Sequence, residues 1–204
     1  MPPSLPKEAF GLDALARFYS LHARVYDWTR PFLLAGRREA VEALDPRPDE
    51  LVLDVGCGTG FSLPLLSASG ARVVGIEPSA AMRARAAARI ARRRLNVELD
   101  DQPYGSHDRY EGRASRILFS YSLSMIPPFA EVLERARRDL APGGRLVVVD
   151  FRSAVLPAAW ALARSHVFLG DERLDTLRRL FARHELRIVS RGAWTSYLFA
   201  AERG

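Results

Sequence analysis

A single cysteine, Cys57, stands in the 204 residues. It cannot form an internal disulfide, and the chain is expected in a reducing cytoplasm. Long apolar runs are missing too. The longest, Ala154 to Ala163, covers ten residues and contains Pro157, whereas a bilayer-spanning helix needs about twenty. The opening MPPSLPKEAFGLDALARF lacks the basic flank and unbroken apolar core of a secretory leader. Lysine is nearly absent: Lys7 is the only one, so the rest of the basic residues are arginines and the formal charge is +6. A basic surface raises nucleic acid or an anionic membrane face as partners, against the plainer alternative of a solvated arginine-rich surface. Neither internal repeats nor low-complexity linkers divide the chain. One domain is expected over 1–204, with N-terminal helices at 1–45 and a core at 46–204 that carries an insert at 152–170.

The pattern is helical from Glu8 to Leu44, broken near Pro31. Leu51 to Gly58, LVLDVGCG, reads as a buried β-branched strand entering a glycine turn. Strands at Ala71–Pro78, Leu95–Asp100, Ser115–Ser122 and Arg145–Phe151 then alternate with helices at Phe61–Ser69, Ser79–Arg94 and Phe129–Leu140. The last of these helices stops at Ala141-Pro142-Gly143-Gly144. Helices at Val155–Leu169 and Glu172–His184 precede two final strands, Leu186–Ser190 and Thr195–Glu202. The alternation predicts a doubly wound, mostly parallel α/β sheet closed at one edge by an antiparallel hairpin.

The first strand ends in Asp54-Val55-Gly56-Cys57-Gly58-Thr59-Gly60, and alternate glycines let a ligand lie against the backbone. A dinucleotide site has G-x-G-x-x-G, with the pyrophosphate at a helix N-terminus. Here the third glycine comes one position early, which suits a nucleoside carrying an amino acid better than one carrying a pyrophosphate. Glu77, followed by Pro78, ends the second strand about twenty residues on, where a carboxylate can accept both hydroxyls of a ribose.

Through LVLDVGCGTG, GIEPS and LAPGGRLVVVDF the sequence resembles the class I S-adenosylmethionine-dependent methyltransferases. The resemblance implies a seven-stranded Rossmann-like sheet of order 3-2-1-4-5-7-6 with the last strand antiparallel, S-adenosylmethionine as cofactor, S-adenosylhomocysteine as product, and no metal. At matching positions it implies Asp54 and the turn Gly56, Cys57, Gly58 and Gly60 around the methionine part, with Glu77 and Pro78 at the ribose. Asp100 or Asp101 is implied near the adenine amino group, and Ser120 at the end of the fourth strand. The segment QPYGSHDRYEG departs from the family pattern and leaves the two aspartates undistinguished.

The acceptor must be read from the flanks of this core. Tyr19, His22 and Tyr26 are spaced three and four apart and share one helical face, and Tyr121 ends the fourth strand at the rim. Rings attract cations, so such a cage suits an amine becoming a quaternary ammonium. The hydroxyls or His22 could take up the proton that the ammonium loses before it attacks. Ordinary helix-to-sheet packing is the plainer account of the stripe. The insert FRSAVLPAAWALARSHVFLG sets Leu156, Trp160, Val167 and Phe168 beside Arg152, Arg164 and His166, which fits a lipid tail with a phosphate at its rim. Arg164, His166 and Trp160 are therefore expected at the substrate. Arg83, Arg85, Arg89, Arg92, Arg93 and Arg94 read as the wet face of a helix rather than a docking patch.

FYSLHARVYDWTRPFLLAGR, SYSLSMIPPF and YLFAAER together resemble the bacterial phospholipid N-methyltransferases that act on phosphatidylethanolamine; related enzymes methylate the betaine lipid diacylglyceryl homoserine. The resemblance implies successive N-methylation towards phosphatidylcholine by a cytoplasmic monomer docked peripherally on the anionic inner face of the membrane. The alternatives are a betaine-lipid N-methyltransferase or a quinone-pathway methyltransferase, followed by a non-catalytic cofactor-binding protein. Nucleic acid is not expected as substrate, because the fourth strand is followed by SLSMIPP and not by an Asn-Pro-Pro-Tyr type of segment.

Overall fold

The computed structural model describes residues 36–164, 167–190 and 192–204. Seven strands, β1 (Leu51–Val55), β2 (Arg72–Ile76), β3 (Val97–Asp100), β4 (Ala114–Ser120), β5 (Leu140–Ala154), β6 (His184–Ser190) and β7 (Trp194–Glu202), form one sheet in the order β3-β2-β1-β4-β5-β7-β6. β1 to β5 run parallel, and β7 enters antiparallel between β5 and β6. The expected topology and hairpin are therefore present. β1, β2 and β4 read as near-continuous apolar runs because a central parallel sheet is covered on both faces.

Alternation along those strands divides the core in two. Leu53, Val55, Ile117, Phe119, Leu146 and Val148 face the same apolar cluster as Leu133, Leu174 and Leu177. These last residues come from α4 (Phe129–Asp139) and α6 (Glu172–Leu180). Val52, Leu118, Val147 and Val149 face the opposite cluster with Ala40, Leu44, Leu63, Leu66 and Ala86. Those come from α1 (Arg37–Leu44), α2 (Leu63–Ser67) and α3 (Ala80–Arg93). Successive strand residues point to opposite faces, which is why one strand feeds both layers.

Several boundaries differ from the sequence reading. The helix expected over Phe61–Ser69 is the shorter α2, because the left-handed Gly60 turn runs on into it and Pro64 stands near its start. The turn expected at Ala141–Gly144 is absorbed into β5, which starts at Leu140; Gly143 donates to the Arg203 carbonyl and Arg203 donates back to Gly144. The helix expected over Val155–Leu169 is α5 (Leu156–Arg164), and Val167 to Leu169 are not helical. The helix expected to reach His184 ends at Leu180, and His184 begins β6. Among the described residues no helix is long and apolar enough to cross a membrane, and no group of side chains could hold a metal ion.

The polar segment 101–112 is tied down by Arg135. This buried arginine donates to Asp139 at 2.7 Å and also pairs with Asp108, fastening the segment to α4. Arg135→Met would strand Asp139, itself buried, without its cation, at an expected cost of about 3–5 kcal/mol, read as a lower urea midpoint at pH 7. Arg135→Met combined with Asp139→Leu should recover most of that loss.

Candidate functional site

The site lies at the carboxyl edge of the sheet, where the chain leaves β1 for β2 on one side and β4 pairs on the other. Open α/β folds form a crevice at this reversal. After β1, Gly56, Gly58 and Gly60 adopt φ of +69°, +58° and +77°, a region costly for residues with a Cβ. A Cβ on Gly56 would stand 2.6 Å from the Cβ of Ser122, and one on Gly60 would stand 2.9 Å from Leu63. Those two glycines permit close packing within the protein. Among the described residues, a Cβ on Gly58 would meet nothing within 4 Å. Of the three glycines, the middle one is therefore the one whose backbone those residues leave uncovered.

The turn is held from several directions. Gly56 and Cys57 donate to the Ile76 carbonyl at 2.9 and 3.1 Å, and Gly60 donates to Cys57 at 2.9 Å. Arg89 of α3 donates to the Thr59 carbonyl at 3.0 Å. The Cys57 thiol fits where Gly75 has no side chain, since a Cβ there would stand 2.9 Å from it. Burial pushes that thiol up, with Asp54 and Glu77 adding to the effect, so it is a packing group and not a thiolate nucleophile. Ser122 donates to the Val55 carbonyl at 2.6 Å, clasping the ends of β1 and β4 together.

Glu77 accepts from the Gly58 N–H with one oxygen and from the Ser79 N–H with the other, both at 2.9 Å. Each oxygen keeps a second lone pair, so the carboxylate is aimed and still able to accept two hydroxyls. Burial raises its pKa, against the pull of those N–H groups and Arg83. Arg83 also donates to the carbonyls of Glu77 and Pro78. Thus two of the arginines expected on a wet helix face turn towards the site instead.

Asp54, at the end of β1, is 1% exposed, and among the described residues neither of its carboxylate oxygens has a hydrogen-bond partner. Burial pushes its pKa up to about 7, against the pull of Arg37 and with a further push from Glu77. A buried carboxylate without donors is a large cost to a fold. It is accounted for if a cationic group from a ligand completes the site. Ser120 at the end of β4 also has a buried hydroxyl without a partner among the described residues.

The two aspartates after β3 differ. Asp100 is buried and accepts from the Tyr110 hydroxyl at 2.6 Å and from Gln102 at 3.0 Å, with His107 at 3.3 Å. Burial pushes its carboxyl up, but Tyr110, Gln102, His107 and Arg109 outweigh it and hold it below the ordinary value. Asp101 is exposed, with Arg83 at 3.9 Å. Asp101 also accepts from the Gln102 side chain at 2.9 Å, so the contrast is one of burial: Asp100 is enclosed by the protein and Asp101 stands at the surface.

On the acceptor side, Tyr121 follows β4 with φ +55°, strained for a residue with a Cβ, and its N–H is held by the Val149 carbonyl at 2.8 Å. Its buried ring packs on Phe151, with centroids 4.8 Å apart. The Arg37 guanidinium stands 4.8 Å from the Phe61 ring centre and 5.8 Å from that of Tyr121. Tyr19, His22, Tyr26 and His166 lie outside the described residues. Trp160 and Arg164 belong to α5, but their side chains lie outside the description. Arg37, Phe61, Ser122 and Phe151 were not singled out from sequence. Phe61 directly follows the third glycine, which is the one local signal among them.

A nucleoside carrying a zwitterionic amino acid fits these residues: an unmet buried carboxylate for the ammonium, an open glycine for close approach and an aimed carboxylate for the ribose. Fold and site together define an S-adenosylmethionine-dependent methyltransferase. The methyltransferase domain family matches residues 26–191, and the chain belongs to that family. It is 32% identical over 152 residues to the demethylmenaquinone methyltransferase of Corynebacterium kroppenstedtii, covering 70% of this chain and 62% of that one. Its fold is shared with phosphoethanolamine N-methyltransferase 2 of Haemonchus contortus, at a TM-score of 0.80 and 15% identity over 98% of this chain and 61% of that one. It is also shared with the 1,6-didemethyltoxoflavin-N1-methyltransferase of Burkholderia thailandensis, at a TM-score of 0.73 and 20% identity over 99% and 93%. Both structures were solved with S-adenosylhomocysteine bound.

Two outcomes are expected. Gly58→Ala should cost about 1–2 kcal/mol of stability from its left-handed backbone. The new methyl group should weaken S-adenosylhomocysteine at least about tenfold by calorimetry. Asp54 holds its proton to about pH 7 when folded but releases it near 3.8 when unfolded, so its contribution to stability falls as pH rises between those values. An ammonium brought to Asp54 lowers its pKa, so binding at pH 6.5 should release protons, seen as a buffer-dependent enthalpy. Asp54→Asn should abolish that release.

Proposed function

We propose that the chain N-methylates the amine of a phospholipid headgroup, phosphatidylethanolamine, in steps towards phosphatidylcholine. The observation that carries this reading is the apolar surface at the acceptor edge. Val155, Leu156 and Phe168 are exposed, Leu156 to 87%, on the insert that follows β5. The insert reaches the strand ends, where Phe168 donates to the Ser124 carbonyl at 2.8 Å. Arg152 stands beside it, paired with Asp171. Exposed aliphatic and aromatic side chains suit a surface that meets acyl chains.

When bound, the cofactor supplies a methyl group on a sulfonium, an electrophile that a neutral amine can attack directly. The protein's part is alignment, desolvation and accommodation of the charge that appears on nitrogen. Tyr121, held rigidly on Phe151, lines the end of β4 where the acceptor is proposed to sit. Tyr19, His22 and Tyr26 are proposed as the rest of the cage, and Trp160, Arg164 and His166 as contacts to the lipid.

Docking is assigned to the insert and not to the arginine groove elsewhere on the protein. That groove is lined by Arg137, Arg179, Arg183 and Arg203. It lies where α4 and α6 end and β5 and β6 begin, at the pole opposite the carboxyl edge. Attraction to an anionic membrane there would turn the acceptor mouth away from the lipid.

A second reading, methylation of a quinone-pathway ring, is favoured by the likeness to demethylmenaquinone methyltransferase. Purified protein with methyl-labelled S-adenosylmethionine should be offered vesicles of phosphatidylethanolamine, vesicles of diacylglyceryl homoserine lipid, and demethylmenaquinone in separate arms. Label in mono-, di- and trimethylated phosphatidylethanolamine is the expected result. Label confined to the homoserine lipid would keep the amine chemistry and change the headgroup, and label confined to the quinone would replace the reading.

A further inference from the structure

The first turn of a helix is the unfavourable end for a cation, because the helix dipole already places positive charge there. Arg173 nonetheless stands second in α6, and it is only 5% exposed. Burial pulls its pKa below the ordinary value, against the push of Asp150, Tyr197 and Glu172. A charge held at such a cost is retained where its hydrogen bonds are needed. We infer that Arg173 is a positioning residue of the acceptor edge, a clamp that fastens the insert to the turn after β4 and so governs how firmly the acceptor is held. This inference rests on the reading that the insert meets the acceptor.

The hydrogen bonds of Arg173 reach two segments far apart in sequence. Its Nε donates to the carbonyl of Leu123, in the short helical turn Leu123–Met125 that follows β4, and its Nη1 donates to the carbonyl of Phe168 in the insert, both at 3.2 Å. Phe168 donates its own N–H to the Ser124 carbonyl at 2.8 Å. Insert and turn are therefore joined twice, once directly and once through the guanidinium. The same guanidinium lies 4.6 Å from the ring centre of Phe129, which opens α4, and 5.7 Å from that of Phe168. Both rings are within cation–π range.

Asp150 of β5 is the countercharge but not the hydrogen-bond partner. It is fully buried, and its oxygens accept from the backbone N–H groups of Ser124 at 2.7 Å and Phe151 at 2.8 Å. The arginine fork is thus directed to the two carbonyls, a span that a point-like ammonium does not match. Attachment at both its N–H and its carbonyl fixes the backbone of Phe168, whose ring is 49% exposed.

The test separates positioning from stability. Arg173→Met leaves the Asp150 charge buried without its cation and should lower the urea midpoint; adding Asp150→Asn should recover most of that loss. Kinetics are measured with phosphatidylethanolamine vesicles, or with the homoserine lipid or demethylmenaquinone if that is the acceptor that takes label. In both the single and the double variant the KM for the acceptor should rise at least about tenfold, with kcat changed less than about threefold. Calorimetric affinity for S-adenosylhomocysteine should stay within about twofold. Amide exchange at Phe168 should quicken at least about tenfold in both, while Leu118 in the central strand β4 keeps its protection. Arg173→Lys keeps the charge without the fork; it should share the raised KM in part, and it serves if the methionine variants do not fold. A KM that returns with stability in the double variant, or a loss of S-adenosylhomocysteine affinity that parallels the rise in KM, reduces Arg173 to a structural residue and overturns the inference. Unchanged exchange at Phe168 overturns the clamp itself. An unsubstituted protein that labels none of the three acceptors removes the acceptor reading instead, and exchange at Phe168 then decides the clamp alone.

Discussion

Asp54 is a carboxylate at the end of a strand inside the sheet, buried where the described residues offer it no hydrogen-bond donor. Much of the architecture at the carboxyl edge follows from keeping it there. β1 must be central for its end to be buried, and the order β3-β2-β1-β4-β5-β7-β6 makes it so. Turning the chain sharply over that end requires left-handed backbone at Gly56, Gly58 and Gly60. The turn in turn depends on the Ile76 carbonyl, Glu77 and Arg89 from neighbouring elements to hold its shape. The fold thus carries an electrostatic cost that a cationic ligand offsets, a form of preorganisation for binding.

The three glycines, alike in sequence, do different work in space. Gly56 lets the end of β4 approach and be clasped by Ser122, and Gly60 lets Leu63 and Ala86 close under the turn. Among the described residues nothing covers Gly58, the one of the three left open, and its N–H simultaneously fixes Glu77. One turn therefore joins two buried carboxylates at the carboxyl edge, Asp54 and Glu77.

Outside this centre, the molecule separates polar functions between its poles. Helices α4 and α6 end in arginine-rich last turns, which complement the negative ends of their dipoles. With Arg183 and Arg203 they make one pole basic. The carboxyl edge instead presents the exposed apolar residues of the insert. Net charge gives no hint of this division, since a sum over the chain carries no direction.

The order and type of the elements were legible in the sequence because periodicity, glycine punctuation and β-branched runs are local properties. LVLDVGCGTG and Glu77 were legible because turn chemistry and strand spacing fix where their groups go. The choice between Asp100 and Asp101 was not, because it depends on Tyr110 and His107 folding back from the departing segment to occupy Asp100. The inward turn of Arg83 and Arg89 could not be read from a helix that looks uniformly wet in one dimension. Nor could Arg37, which lies 17 positions before Asp54 by number and reaches the site only because α1 packs across the sheet. The sequence by itself determined the sheet, the glycine turn and the class of cofactor, all set by short-range geometry. The tertiary structure decided which charges meet beside the glycine turn, since long-range packing alone brings them together.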